Sequence, residues 1–294
     1  MSLRVGLVGA GPWARMATGP MLAAGPATTL AGVWARRPEA AAELGAGLGV
    51  PVASSFEALL STCDAVAFAV PPDVQARLAP VAAAAGRHLM LEKPLAFTVE
   101  EAERIAAAVD EAGVVTQLML TNRWTDAVRT FLADVSGAVP RVLTAEFVGS
   151  QASAGSPFAT PWRRPEMALF DVGPHALDLV EAAGGPATVV HARRTGAATA
   201  LTLEHESGAV SHVTLSIATP GARGPLRCEA VTDAGRVVLA DPGAEDRGSL
   251  GSRITTDFAE AVAGTASDAP DVHRGVRLQR LLTAAERELG EPTR

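Results

Sequence analysis

Residues 6–14 read GLVGAGPWA, where an apolar, β-rich run over residues 3–9 breaks into Gly9, Gly11 and Ala14 at the spacing G-x-G-x-x-A. A strand that ends this way and passes straight into a helix needs Gly9 for a tight turn. It needs Gly11 so that bare backbone can approach a pyrophosphate, and the small Ala14 so that helix packs closely on strand. The helix N-terminus then offers free N–H groups and a partial positive charge to phosphates. Gly9, Gly11, Pro12, Trp13 and Ala14 are therefore the expected dinucleotide-binding turn.

The next hundred residues agree with that start. TLAGVW (29–34), DAVAFAV (64–70), HLMLE (88–92) and VVTQLML (114–120) repeat the continuous apolar character of strands buried on both faces. Between them lie helical stretches, clearest at 98–112. There Thr98 and Glu101 suggest a capping box, Val99, Ala102, Ile105, Ala106 and Val109 recur at helical spacing, and Gly113 stops the run. This βαβαβ alternation predicts an α/β fold, a doubly wound parallel sheet over residues 1–120.

Residues 121–294 have another texture, which predicts an α+β domain. A probable strand (141–148) leads into a Gly/Ser/Pro-rich loop, a helix beginning near Asp171, and alternating, turn-punctuated runs up to residue 240. In AVSHVTLSI, Val213, Leu215 and Ile217 share one face and His212 and Thr214 the other, as in an antiparallel sheet covered on one side. The last stretch, 252–290, reads as helical, with the option that it packs back on the first domain.

Composition excludes several function classes. The net charge of −7, without a basic block, argues against nucleic-acid binding, which needs clustered Lys and Arg. No uninterrupted apolar run reaches membrane-spanning length, and the N-terminus lacks a signal-peptide pattern, so no membrane partner is expected. Cys63 and Cys228 form neither a disulfide framework nor a C-x-x-C pair, which fits a reducing cytoplasm. His88, His191, His205, His212 and His273 show no metal-ligand spacing, so no metal is expected.

Three stretches carry chemistry. At the end of the second strand, VWARRPE has Ala35, Arg36 and Arg37 where an NAD enzyme commonly has an acidic residue for the ribose 2′-hydroxyl. An arginine pair suits a 2′-phosphate, so NADP is favoured over NAD, although arginines that start a helix also occur without a ligand. In LFDVGPHALDLVEAAGG, Asp171 and His175 stand at i and i+4, with Asp178 a turn further. A carboxylate beside a histidine fixes its tautomer and suits it to general base work; an N-capping Asp171 and a buried structural His175 are the alternative. Finally, HLMLEKPLAF ends an apolar strand with Glu92-Lys93-Pro94. Ligands of open α/β sheets bind at the C-terminal ends of strands, so Lys93 is expected to face His175 across an inter-domain cleft. A base and a nearby cation answer the two needs of hydride transfer: removing a hydroxyl proton and stabilising charge on oxygen.

Together, the Gly9-x-Gly11 turn, AVPP (69–72), AGRHLMLEKPLAFTVEEAE (85–103), TNRW (121–124) and DVGPHALD (171–178) resemble the Gfo/Idh/MocA oxidoreductases over essentially the whole chain. The resemblance implies a Rossmann domain joined to an α/β domain with a large, mostly antiparallel sheet whose exposed face makes homodimers or homotetramers. It also implies oxidation of a secondary alcohol of a sugar or cyclitol, or the reverse reduction. By motif, Lys93 is the lysine that binds substrate and polarises its hydroxyl. Asp171 and His175 are the D-x-x-x-H pair, with His175 the acid/base. Pro94 matches a proline often held in a cis peptide. Pro71, Glu92 and Lys93 join the cofactor contacts, and Asn122 and Arg123 lie near the substrate. Trp162, Arg163 and Arg164 precede Asp171 in a long loop and are expected to line the pocket. Departures are Glu166-Met167-Ala168 where members carry glycines, Asp73 and Gln75 where members often place an Asn and a His near the nicotinamide ribose, and the lack of tyrosine.

The expected function is thus NAD(P)-dependent hydride transfer to or from a sugar-like alcohol or ketone. Two others share the fold: a non-catalytic dinucleotide-sensing regulator, opposed by the intact Lys93, Asp171 and His175, and a redox-assisted lyase or glycosidase.

Overall fold

The computed structural model describes residues 2–158, 160–222, 224–241 and 245–290. Two compact units form: one from Met1–Met119 and Asp246–Val276, the other from Leu120–Glu245 and Arg277–Arg294.

The first unit holds a five-stranded sheet, β1 (Leu3–Val8), β2 (Thr28–Trp34), β3 (Ala65–Phe68), β4 (His88–Leu91) and β5 (Thr116–Leu118), in the order β2-β1-β3-β4-β5 with all pairs parallel. Its helices are α1 (Gly19–Ala24), α2 (Pro38–Leu48), α3 (Phe56–Leu60), α4 (Pro72–Ala84) and α5 (Val99–Ala112). Central strands are buried on both faces, as β1 and β3 show with Val5, Leu7, Val8, Val66 and Phe68 all inaccessible. That is why they read as unbroken apolar runs and not as alternating ones.

α5 shows how local sequence sets an element. The Thr98 hydroxyl accepts from the Glu101 N–H at 3.2 Å, and Gly113 ends the helix in the left-handed region. Glu101 reaches back to the Phe97 N–H at 3.3 Å, one residue before the expected capping-box donor. Ala102, Ile105, Ala106 and Val109 form its buried stripe.

The second unit holds α6 (Asp126–Ser136), α7 (Ala168–Asp171), α8 (Gly173–Gly184) and a six-stranded sheet. The strands are β6 (Pro140–Val148), β7 (Ala187–Thr195), β8 (Ala198–His205), β9 (Val210–Ser216), β10 (Arg227–Thr232) and β11 (Gly235–Val238), in the order β11-β10-β6-β9-β8-β7. Only β6 and β9 pair in parallel. Leu143, Ala145, Val213, Leu215, Leu201 and Ala230 are buried on one face, where α8 packs close enough that a Cβ on Gly184 would stand 3.0 Å from the Leu143 side chain. On the other face the register aligns Val238, Glu229, Thr144, His212 and Thr202 in one row across five strands. The alternation in AVSHVTLSI thus has its expected cause.

Two expectations need correction. The helical stretch 252–290 is two helices, α9 (Arg247–Val262) and α10 (Val272–Glu288). Gly264 at φ 94° and Pro270 break the run. The intervening segment covers the edge of β5: the Pro270 carbonyl accepts from the Leu118 N–H at 2.6 Å, and Thr116 Oγ1 accepts from the Val272 N–H at 3.0 Å. The helix expected through Asp171 and His175 is also interrupted. α7 stops at Asp171, Val172 forms a turn at φ −109°, ψ −19°, still in the right-handed region, and α8 restarts at Gly173-Pro174. Proline at the start of a helix needs no N–H, whereas inside one it would cost a hydrogen bond.

A partly buried ion pair braces the second unit. The Glu181 carboxylate accepts from Arg277 Nη2 at 2.6 Å and from the Ala187 N–H at 2.8 Å, and Arg277 also donates to the Ala187 carbonyl at 2.6 Å. Removing the carboxylate strands the Ala187 N–H, while the partly exposed guanidinium keeps water and the Ala187 carbonyl. Glu181→Ala is therefore expected to lower unfolding free energy by about 2 kcal/mol, read from urea denaturation midpoints.

Among the described residues, no helix is long and apolar enough to cross a membrane, and no group of three or more His, Cys, Asp or Glu is placed to hold a metal ion. Cys63 and Cys228 are buried free thiols; burial pushes the Cys228 thiol up to about 12.

Candidate active site

The glycine turn lies at the C-terminal end of β1. Gly9 has φ 117°, and a Cβ there would run into the Ala69 carbonyl and the Val70 side chain, so only glycine fits. Gly11 is the reverse case: a Cβ there would meet no protein atom within 4 Å. Bare backbone facing open space is the cradle that a pyrophosphate requires. Ala14, fully buried, begins a π-helical turn (Ala14–Thr18) that runs into α1. Arg15, which the sequence did not single out, donates Nε to the Ala10 carbonyl at 3.2 Å and Nη2 to Glu43 at 2.9 Å, tying the turn to α2. These residues fit a bound dinucleotide. Arg36 and Arg37 are both exposed just before α2, with Arg37 at its N-cap. Pro71 is exposed at the N-cap of α4.

At the C-terminal end of β4, the Lys93–Pro94 peptide is cis, as the resemblance implied. Glu92 is only 8% exposed, and its carboxylate accepts a 2.6 Å hydrogen bond from the indole N–H of Trp13. Gln75, wholly buried in α4, donates to the carbonyls of Glu92 at 2.8 Å and Leu95 at 2.9 Å and accepts from the Glu92 N–H at 2.8 Å. Gln75 stood out in the sequence only as a departure; its hold on Glu92 was not legible there, because an amide 17 residues away meets its partner only once strand and helix are packed. Lys93 itself is half-buried.

In the second unit, Asp171 and His175 are 2% and 8% exposed. Arg163 Nε donates to both Asp171 oxygens, at 3.2 and 3.1 Å, and its Nη1 to the Phe158 carbonyl at 3.3 Å. Its guanidinium also lies 4.7 Å from the centre of the Trp162 ring. Arg163 is thus engaged with Asp171 and the loop, whereas Arg164 is largely exposed beside Glu166. His175 sits in the first turn of α8 with its ring 5.9 Å from that of Phe147. Arg123, expected near the substrate, has its Nε 2.8 Å from the buried Asp178 carboxylate. Its neighbour Asn122 lies in a 3₁₀ turn, where its carbonyl accepts from the Thr125 hydroxyl at 2.8 Å. A buried histidine in the first turn of α8 and an arginine-held carboxylate at the end of α7 are groups able to take up, return or orient a proton.

A parallel sheet with a glycine turn at the end of its first strand, followed by a unit built on an open sheet, defines the class: a dinucleotide-binding fold with a second α+β unit. Residues 3–120 match the oxidoreductase family with the NAD-binding Rossmann fold, Gfo/Idh/MocA. It is 32% identical over 144 residues to UDP-N-acetylglucosamine 3-dehydrogenase of Acidithiobacillus ferrooxidans, covering 49% of this chain and 45% of that protein. It is 31% identical over 169 residues to levoglucosan dehydrogenase of Pseudarthrobacter phenanthrenivorans, covering 53% and 42%. The chain thus spans under half the length of these curated relatives. Among solved structures, GenD2 from gentamicin A biosynthesis, in complex with NAD, shares the fold at TM-score 0.84 and 22% identity over 98% of this chain and 94% of that one.

Proposed function

We propose that this chain transfers a hydride between NAD(P) and a secondary alcohol or ketone of a sugar, cyclitol or related polyol. The observation that carries this reading lies within the first unit: the pyrophosphate turn and the lysine-bearing strand end are joined by the Trp13–Glu92 hydrogen bond. A nucleotide site and a candidate catalytic cation thus share one edge of one sheet. The relatives named as dehydrogenases of a nucleotide sugar and of an anhydrosugar support a sugar-like substrate.

Gly9, Gly11, Pro12, Trp13 and Ala14 would hold the pyrophosphate, and a nicotinamide dinucleotide bound there would supply or accept the hydride. His175 takes the proton from the substrate hydroxyl or returns it. Asp171, fixed by Arg163, orients His175, and the Lys93 ammonium stabilises charge on the reacting oxygen. Self-association through the uncovered face of the six-stranded sheet belongs to the same reading; Val142 and Val238 are exposed there.

The direct test follows NADH and NADPH absorbance with the wild-type protein against sugars, sugar acids, cyclitols and nucleotide sugars. Redox turnover is expected; no change with any compound overturns the reading, and product formation without net cofactor change identifies a lyase. Ala35, Arg36 and Arg37 at the ribose position favour NADP. The double variant R36A/R37A is expected to weaken NADPH binding about tenfold or more with NADH binding little altered, as measured by nicotinamide fluorescence titration.

A further inference from the structure

Glu92 is held on three sides. Trp13, from the pyrophosphate turn, donates to its carboxylate at 2.6 Å, and Gln75, from α4, pairs with both its N–H and its carbonyl, at 2.8 Å each. Gln75 also binds the Leu95 carbonyl at 2.9 Å, so one buried amide clamps the backbone on both sides of Lys93 and Pro94. The Lys93 N–H donates to the other Glu92 oxygen at 3.3 Å. Three groups from two distant segments, the Trp13 indole N–H and the amide N–H and oxygen of Gln75, thus converge on a stretch of four residues, and every one acts on its backbone or on Glu92.

We infer that Trp13, Gln75 and Glu92 are positioning residues that set the direction of Lys93 and couple it to the dinucleotide turn. The role in turnover rests on the proposed oxidoreductase reading. The physical case does not. Backbone that leaves a strand loses its ladder partners, and β4 ends at Leu91. The Gln75 amide replaces those partners at Glu92 and Leu95, as a neighbouring strand would have done. The indole contributes direction: a donor fixed in the phosphate-binding turn holds a buried carboxylate, and hydrogen bonds to an ionised acceptor are among the stronger ones. A displaced turn therefore displaces Glu92, and Lys93 with it. Gln75 also accounts for a departure noted in the sequence, where members of the family often carry histidine.

The test compares wild type, Trp13→Phe and Gln75→Met. Trp13→Phe keeps the ring and the half-buried packing but removes the indole donor, so it is the variant that must fold. Three quantities are read: amide hydrogen exchange over residues 91–96 without any dinucleotide, NADH and NADPH dissociation constants by fluorescence, and steady-state kcat and KM. Loss of one charge-assisted bond is expected to raise exchange at Glu92 and Lys93 about tenfold in Trp13→Phe. The same variant is expected to lose about 10- to 100-fold in kcat, since small displacements of a reacting group cost that much; dissociation constants should stay within about threefold, because the turn binds phosphate through backbone N–H groups that phenylalanine keeps. Gln75→Met should show the larger exchange effect. Wild-type exchange and kcat in Trp13→Phe overturn the inference and leave the proposed function intact. Raised exchange with a wild type that turns over no sugar supports the clamp and removes the proposed reaction.

Discussion

Lys93→Met and His175→Asn are each expected to lower kcat by about 10²- to 10⁴-fold, the range in which positioned acid/base and charge-stabilising groups act. The reason differs for each. Lys93 stands at the end of β4, where its ammonium is a compact charge on a flexible stem, and methionine keeps the stem while deleting the charge. His175 is 8% exposed in the first turn of α8, and asparagine retains a hydrogen-bonding group but cannot carry a proton between substrate and solvent. Neither substitution touches the glycine turn, so NADPH titration should give dissociation constants within about threefold of wild type, given that those contacts are backbone N–H groups. Wild-type turnover in either variant would remove that residue from the mechanism. Loss of dinucleotide binding along with turnover would show that the change had spread beyond the reacting group.

Gly9→Ala and Gly11→Ala separate folding from binding at the same turn. At Gly9 the backbone has φ 117° and a Cβ would strike the Ala69 carbonyl at the end of β3, so alanine strains the conformation and forces apart two central strands. A melting temperature lower by about 5 °C or more is expected, in line with a few kcal/mol of strain and overpacking in a domain of this size. At Gly11 nothing stands within 4 Å of the added methyl, so the fold should melt as wild type. The methyl would instead occupy the space in which bare backbone meets the pyrophosphate, and NADH and NADPH binding should weaken by about tenfold or more. Equal binding by Gly11→Ala and wild type would mean that the open space is not where the phosphates lie.

The site divides by the range of the interactions that build it. The glycine turn was legible because its requirements are local: a positive φ, a missing side chain and a small third residue all leave marks within six positions. The same holds for α5, whose cap, stripe and stop lie in one continuous segment. Arg163 is the contrary case. As one of two neighbouring arginines in a polar loop, it read as a pocket-lining cation, yet the fold turns it onto Asp171 and stacks it against Trp162. Arg123 was likewise assigned to substrate, and the fold puts it on Asp178. In both, a buried carboxylate on another element captured the guanidinium, since an unpaired buried charge costs far more than an exposed arginine gains.

Sequence alone determined the parallel βαβ order of the first unit, the open sheet of the second, and the residue types able to bind phosphate, carry charge and move a proton. Periodicity and glycine spacing are local consequences of backbone sterics and burial, so they survive in a linear string. Only the tertiary structure decided the break between Asp171 and His175, the loop that covers the edge of β5, and the hold of Trp13 and Gln75 on Glu92. Each of these depends on which polar group, far along the chain, is buried beside another. Pairing of that kind is settled by packing, because a buried N–H, carbonyl or carboxylate takes whatever partner the fold brings within about 3 Å.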